Sequence, residues 1–143
     1  MKLLPKNIFR YLQSNKLASV CFVDAEGKPY CINCFYYFCE TNQVLVFKSS
    51  PTSVHRSFIQ NKSFVAGTIL PKSLNFLKLQ GAQFRGELLD NDQIIKHDLE
   101  AKYSKKHPIS LAMSGYIWAV ELQQIKLTDR RVGFGKDVMW ENN

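Results

Sequence analysis

The stretch that most constrains this chain is residues 28–39, Lys-Pro-Tyr-Cys-Ile-Asn-Cys-Phe-Tyr-Tyr-Phe-Cys, a strand-forming run with no polar side. Alternate residues of a strand point to opposite faces. Tyr30, Ile32, Cys34, Tyr36 and Phe38 fall on one face, and Cys31, Asn33, Phe35, Tyr37 and Cys39 on the other. A strand apolar on both faces needs cover on both. In a closed barrel one face meets the barrel core, which leaves the other for a helix, a partner subunit or a flat aromatic ligand.

The rest of the chain reads as further strands with short helices between them. Residues 3–14 predict a helix with Ile8, Phe9 and Leu12 on one stripe. Residues 17–24 predict a strand, and Ala25-Glu-Gly27 a turn into the aromatic strand. Strands follow at 44–47, 63–70, 77–89 and 116–127, with a last short segment at 132–140. Helices are predicted from the Ser/Thr cluster near residue 50 to about 61, and from Asp90 to about 103, where Asp90-Asn-Asp-Gln93 resembles a capping box. Gly81 and Gly86 inside the fifth strand mark a bulge, a bend or a close approach. Six or seven strands and three short helices in 143 residues predict a mainly β fold, a closed barrel of Greek-key type, in one domain spanning 1–143. The regular βαβ alternation of a parallel sheet is missing, and so is a G-x-G-x-x-G loop.

Composition narrows the function classes. Hydrophobic residues at 45% and charged residues at 22% describe a chain that folds. The net charge of +7 attracts anions, yet the 19 Lys and Arg residues are scattered and no zinc-finger or RNA-recognition spacing accompanies them, which disfavours nucleic acid. The N-terminal Met-Lys-Leu-Leu-Pro-Lys lacks the apolar core of a signal peptide, so a cytoplasmic location is expected. Cys21, Cys31, Cys34 and Cys39 then read as reduced thiols. Cys31-Ile-Asn-Cys34 has a redox spacing, but residues three apart in a strand face opposite sides.

The chemistry is sought at Val44-Leu-Val-Phe-Lys-Ser-Ser-Pro-Thr-Ser-Val-His-Arg56, where an apolar strand stops at a hydroxyl cluster. With Pro51 in a first helical turn and Ser50 or Thr52 as N-cap, unpaired amides would point outward together. Lys48, His55 and Arg56 add positive charge, and Ser49, Ser50, Thr52 and Ser53 add hydroxyls, a set suited to a phosphomonoester. An ordinary capped helix gives the same pattern.

Phe47-Lys-Ser-Ser-Pro-Thr-Ser-Val-His55, Gly81-Ala-Gln83 with Gly86, and Gly133-Phe-Gly-Lys136 with Trp140 together resemble the pyridoxamine phosphate oxidase-like FMN-binding split barrels, in particular their small YhbP-like branch. The resemblance implies a homodimer with FMN held between subunits. Ser49, Ser50, Thr52, His55 and Arg56, with Lys48, would take the phosphate. Asn33 and Gln83 would meet the ring or ribityl edge, and Lys136 and Trp140 would close the site. The Arg-x-Val-Leu-Leu-Lys strand of the oxidases is here Cys31-Ile-Asn-Cys-Phe-Tyr36, so the resemblance implies a flavoprotein, an oxidoreductase of unknown substrate, rather than an oxidase of pyridoxamine phosphate. Haem binding or storage on the same barrel is the alternative. His55, His97 and His107 are the only histidines for an axial bond, with His97 and His107 read as solvated.

Overall fold

The turn at 25–27 fixes the first hairpin. Asp24 Oδ1 accepts from the amides of Glu26 at 2.9 Å and Lys28 at 2.8 Å, while Gly27 takes φ of 80°, a conformation that favours glycine. This sets β1 (Leu17–Val23) against β2 (Pro29–Cys39) in the register Leu17 to Phe35 through Val23 to Pro29. The structure, a computed structural model, describes residues 1–59, 63–130 and 137–142.

Four more strands, β3 (Val44–Ser49), β4 (Phe64–Ile69), β5 (Gln80–Leu88) and β6 (Tyr116–Asp129), complete an antiparallel sheet ordered β3-β2-β1-β4-β5-β6. β6 returns to pair with β3 and closes the barrel. The short β7 (Asp137–Glu141) extends the far half of β6. This is the expected mainly β closed barrel. One corner is a bulge between Arg85 and Gly86. A Cβ at Gly86 would lie 2.5 Å from the Glu121 carbonyl oxygen, so only glycine lets the strands approach there.

The barrel is filled from inside by Val20, Phe22, Tyr36, Phe47, Phe84, Trp118, Leu122 and Ile125, all buried. Helix α1 (Lys6–Ser14) lays Ile8, Tyr11 and Leu12 over one end. Two hydroxyls fasten it: Tyr11 donates to the Ile69 carbonyl and Tyr36 to the Leu12 carbonyl, each at 2.8 Å. Two helices cover part of the outer wall. α2 (Asn91–Lys96) is capped by Asp90, whose Oδ1 accepts from the Gln93 amide at 2.8 Å, and α3 (Leu99–Lys106) follows after Asp98 takes φ of 53°. That left-handed residue divides what the sequence predicts as one helix. Ile94, Leu99 and Tyr103 then pack on Cys39, Val44, Val46 and Ala119, giving the C-terminal half of β2 its second cover. Among the described residues no helix is long and apolar enough to cross a membrane.

The helix predicted to run from residue 50 to about 61 is a correction. Residues 51 and 52 form a turn, followed by one 3-10 turn, Val54–Phe58, with no side-chain cap at Ser53. Ser50 Oγ instead meets the Thr52 hydroxyl at 3.2 Å, the local competition by which Ser and Thr favour turns over helix. The expected cradle of α-helical amides is therefore not formed.

Candidate functional site

β2 changes neighbour halfway along. Residues 29–35 pair with β1, whereas pairing with β3 starts at Tyr36 and Phe47 and runs to Cys39 and Val44. Beyond Phe47, β3 stays with β6 through Lys48 and Ser49 and parts from β2. The barrel wall splits there, and a cleft of about 760 Å³ opens between residues 33–35 of one strand and 48–51 of the other. Its size is that of a small-molecule site.

Parting strands leave backbone groups without ladder partners. Tyr103 and His107, from the end of α3, supply them: the Tyr103 hydroxyl donates to the Phe35 carbonyl at 3.3 Å, and His107 Nε2 donates to the Tyr36 carbonyl at 2.9 Å. Lys48 Nζ donates to the Ser110 carbonyl at 2.9 Å and ties the 3-10 turn Pro108–Ala112 across the cleft. The walls are thus apolar around Phe35, Tyr103, Ile109 and Met113, with Lys48, Ser50 and Asn33 as polar edges. Burial raises the Tyr103 phenol to about 12 and raises the Cys34 thiol, so both stay protonated at neutral pH. On the cleft wall one polar atom is left over: Ser110 Oγ, in a residue only 6% exposed, has no hydrogen-bond partner among the described residues. A buried hydroxyl without a partner fits a wall that meets a bound polar group.

The residues predicted for the site fall into separate places. Asn33, Lys48 and Ser50 line the cleft, and Ser49 borders it with its hydroxyl turned away. Ser49 and His55, expected as phosphate ligands, face the core instead. Ser49 Oγ accepts from the buried Trp118 Nε1 at 2.8 Å and lies 2.7 Å from His55 Nε2. With the indole N–H already donating, the serine hydroxyl is free to donate to an unprotonated Nε2. Burial also holds the His55 pKa below its ordinary value, and the ring stacks on Phe22 at 5.6 Å. This trio closes the barrel end opposite α1. The reason is that β3 keeps its alternation to the last residue, so Ser49 takes the inward position after Phe47.

Thr52 and Arg56 are exposed and lie outside the cleft lining; Arg56 sits 5.0 Å over the Tyr116 ring and donates to the Pro51 carbonyl at 3.2 Å. Gln83 is exposed on the outer face in a row Asn33, Ser19, Thr68, Gln83 that crosses four strands. Three strand spacings, about 14 Å, separate it from Asn33. Trp140 is a packing residue: it is 2% exposed and donates from Nε1 to the Leu3 carbonyl at 3.1 Å. Lys136 lies outside the described residues. Sequence reading missed Tyr103, His107 and Ser110. His107 was expected to be solvated, but it is half-buried, with its ring centroid 4.9 Å from that of Tyr103. The pattern Tyr-x-x-x-His, running from α3 to the residue that ends it, brings the two rings together and was the available signal.

No family model matches the chain. Solved structures share its fold. A pyridoxamine 5′-phosphate oxidase-related, FMN-binding protein from Nostoc punctiforme aligns with a TM-score of 0.72 at 13% identity, covering 99% of this chain and 93% of that one. A heme-binding protein from Mycobacterium smegmatis aligns at 0.73 and 13% identity, covering 98% of this chain and 60% of that chain. A FAD-binding protein from Mesorhizobium loti aligns at 0.64 and 13% identity, over 87% of this chain and 94% of that one. These likenesses show the split-barrel fold. Sequence relatives are nearer: a UPF0306 protein of Serratia proteamaculans is 33% identical over 137 residues, covering 94% of this chain and 93% of the relative. One from Photorhabdus laumondii is 30% identical over 138 residues, with 94% and 93% covered. The UPF0306 protein YhbP of Escherichia coli O17:K52:H18 is 30% identical over 139 residues, with 95% and 92% covered. With identity at this level along nearly the full length of each partner, the chain belongs to the UPF0306 family.

Proposed function

We propose that this protein is an FMN-binding flavoprotein, an oxidoreductase of unknown substrate, whose cofactor occupies the cleft where β2 and β3 part. The observation that carries the reading is the cleft itself: an apolar lining of Phe35, Tyr103, Ile109 and Met113 together with the cationic, hydroxyl-bearing Lys48 and Ser50, and a Ser110 hydroxyl without a partner among the described residues. In this reading the wall takes the ring, Asn33 and Ser110 offer hydrogen bonds, and Lys48 with Ser50 receives the phosphate. FMN, when bound, supplies hydride or electron-pair chemistry, and the chain supplies orientation and a dry wall. Flavin- and heme-binding neighbours on the same fold support a cofactor in this barrel.

A second copy of the chain would complete the site. Phe35, Leu17, Leu70 and Leu74 are 46–69% exposed and run on from the cleft mouth along a further cavity of about 440 Å³ that shares Asn33 and Phe35. A homodimer covers this apolar strip. The four free thiols fit a reducing, cytoplasmic setting.

The test is titration of the protein with FMN and with riboflavin, read by flavin fluorescence. Lys48→Gln with Ser50→Ala removes the charge and one hydroxyl while keeping a donor for the Ser110 carbonyl. FMN affinity falls about tenfold or more, the loss of one charge-assisted hydrogen bond, and riboflavin affinity holds. Equal losses for both ligands, or no quenching by FMN in the wild type, defeat the proposal.

One observation favours a haem reading second. His107 lines the cleft and its Nε2 donates to a main-chain carbonyl, which leaves Nδ1 as the ring nitrogen not committed to that bond, the arrangement typical of metal-ligating histidines. A Soret band on adding haem that is lost in His107→Ala selects this reading.

A further inference from the structure

Two cysteines that neither line the cleft nor pack in the core, Cys21 and Cys31, stand directly opposite each other on β1 and β2. Their pairing type follows from the ends of the hairpin. The Asp24 amide donates to the Lys28 carbonyl at 2.9 Å and the Tyr36 amide to the Lys16 carbonyl at 2.8 Å, so pairs 24/28 and 16/36 are of the hydrogen-bonded kind. Hydrogen-bonded and non-hydrogen-bonded pairs alternate along an antiparallel ladder. Counting inward from either end, 21/31 is a non-hydrogen-bonded pair. Such residues have Cα atoms about 4.5 Å apart with side chains close together, within the range of about 4.4–6.8 Å that a disulfide spans.

The thiols are available for it. Both thiols are free, Cys31 is exposed and Cys21 partly so, with Cys21 Sγ 3.8 Å from the Phe22 carbonyl oxygen. They point to the outer face. Cys34, three residues on from Cys31, turns to the other side and packs against the barrel core. The same outer row continues through the small Ala66 on β4 to the exposed Arg85 on β5, about 10 Å from Cys21. Cys31 lies four residues, about 13 Å, along β2 from Phe35, beyond the apolar strip described above.

We propose that Cys21 and Cys31 form a thiol–disulfide exchange site that takes small disulfides as oxidants. The Cys31 thiolate attacks one sulfur of the disulfide, forming a mixed disulfide and releasing one thiolate. The Cys21 thiolate then attacks Cys31 Sγ, closing the Cys21–Cys31 bond and releasing the second thiolate. The two protein protons end on the two released thiols, and the small disulfide is reduced by the electron pair the cysteines lose. Greater exposure gives Cys31 the first attack. Burial and the neighbouring sulfur raise the Cys21 pKa, which suits the later, resolving role. The Cα spacing is near the short limit for a disulfide, so the bond is readily reduced again and serves exchange rather than structure.

The probe is oxidised glutathione added to the native protein, read by intact mass and peptide mapping. The expected product is a loss of two hydrogens with residues 21 and 31 cross-linked, reversed by excess reduced glutathione. Cys21→Ser stalls at one glutathionyl group on residue 31, and Cys31→Ser gives no intramolecular disulfide. A wild type that keeps a glutathionyl group, a cross-link through Cys34 or Cys39, or a native protein inert where the denatured one reacts overturns the proposal.

Discussion

Ser49 and Ser50 are neighbours with opposite duties, and replacing each by alanine separates them. Ser49 Oγ is the acceptor for Trp118 Nε1 and the partner of His55 Nε2, in a corner where Trp118 is 1% and His55 7% exposed. Ser49→Ala leaves a buried indole N–H without an acceptor, at about 1–3 kcal/mol, and removes a second hydrogen bond worth about 1 kcal/mol. The sum is about 2–4 kcal/mol. For a chain of this length, where each kcal/mol moves Tm by about 3–4 °C, the midpoint falls by roughly 6–16 °C. Ser50 is exposed, and among the described residues its hydroxyl bonds only to Thr52, so Ser50→Ala stays within about 0.5 kcal/mol of the wild type. Urea unfolding reads both, with an unchanged m value showing that stability alone has moved. If Ser49→Ala unfolds within about 0.5 kcal/mol of the wild type, the buried trio does not hold the barrel end and the assignment of Ser49 to the core is wrong.

Two further outcomes come from the same walls. Burial depresses the His55 pKa below its ordinary 6.5, so the unfolded chain binds the extra proton first as pH falls. Stability is therefore fully present above 6.5 and is lost progressively below it, down to the folded-state value. His55→Gln flattens that slope in thermal melts across this pH range, and an unchanged slope refutes the assignment. At the barrel corner, Gly86→Ala drives a methyl against the Glu121 carbonyl and Val120 and costs about 1–3 kcal/mol in denaturant unfolding, whereas Gly81→Ala, with nothing within 4 Å, does not clash.

The fold was legible because its signals are local. Alternation in 17–24 and 116–127, the Asp24-Ala-Glu-Gly27 turn and the glycine at the bulge each specify their own segment through backbone geometry. The site was half legible for the same reason: the strand ending at Phe-Lys-Ser-Ser does mark the cleft edge, but the helix read after it rested on capping residues that form a turn instead. What sequence could not place was the direction of side chains at the split. Ser49 and Ser50 carry the same hydroxyl, and only the continued pairing of β3 with β6 through Ser49 sends one inward and leaves the other at the surface. His107 belongs to the cleft through α3 docking on β2, a packing of residues 71 apart in the chain. The Cys21–Cys31 pairing, by contrast, follows from the hairpin register once the turn is known.

The two-faced strand that constrains the fold is also where folding and association part company. Tyr37 and Cys39 find their outer cover in α2 and α3, whereas Phe35 on the same face remains 51% exposed at the cleft mouth. Phe35→Glu therefore removes little that the single chain buries and keeps the main-chain carbonyl on which Tyr103 relies. Its effect on the unfolding of the isolated chain stays within about 0.5–1 kcal/mol. Pairing of two copies through the strip of Phe35, Leu17 and Leu70 would bring the new carboxylates into an apolar interface, at a cost of several kcal/mol for each unpaired buried charge. Sedimentation then shows a wild-type dimer and a folded monomeric variant. A variant that dimerises like the wild type means that the apolar strip is not the surface joining two copies, and that the outer wall of β2 is left to a ligand alone.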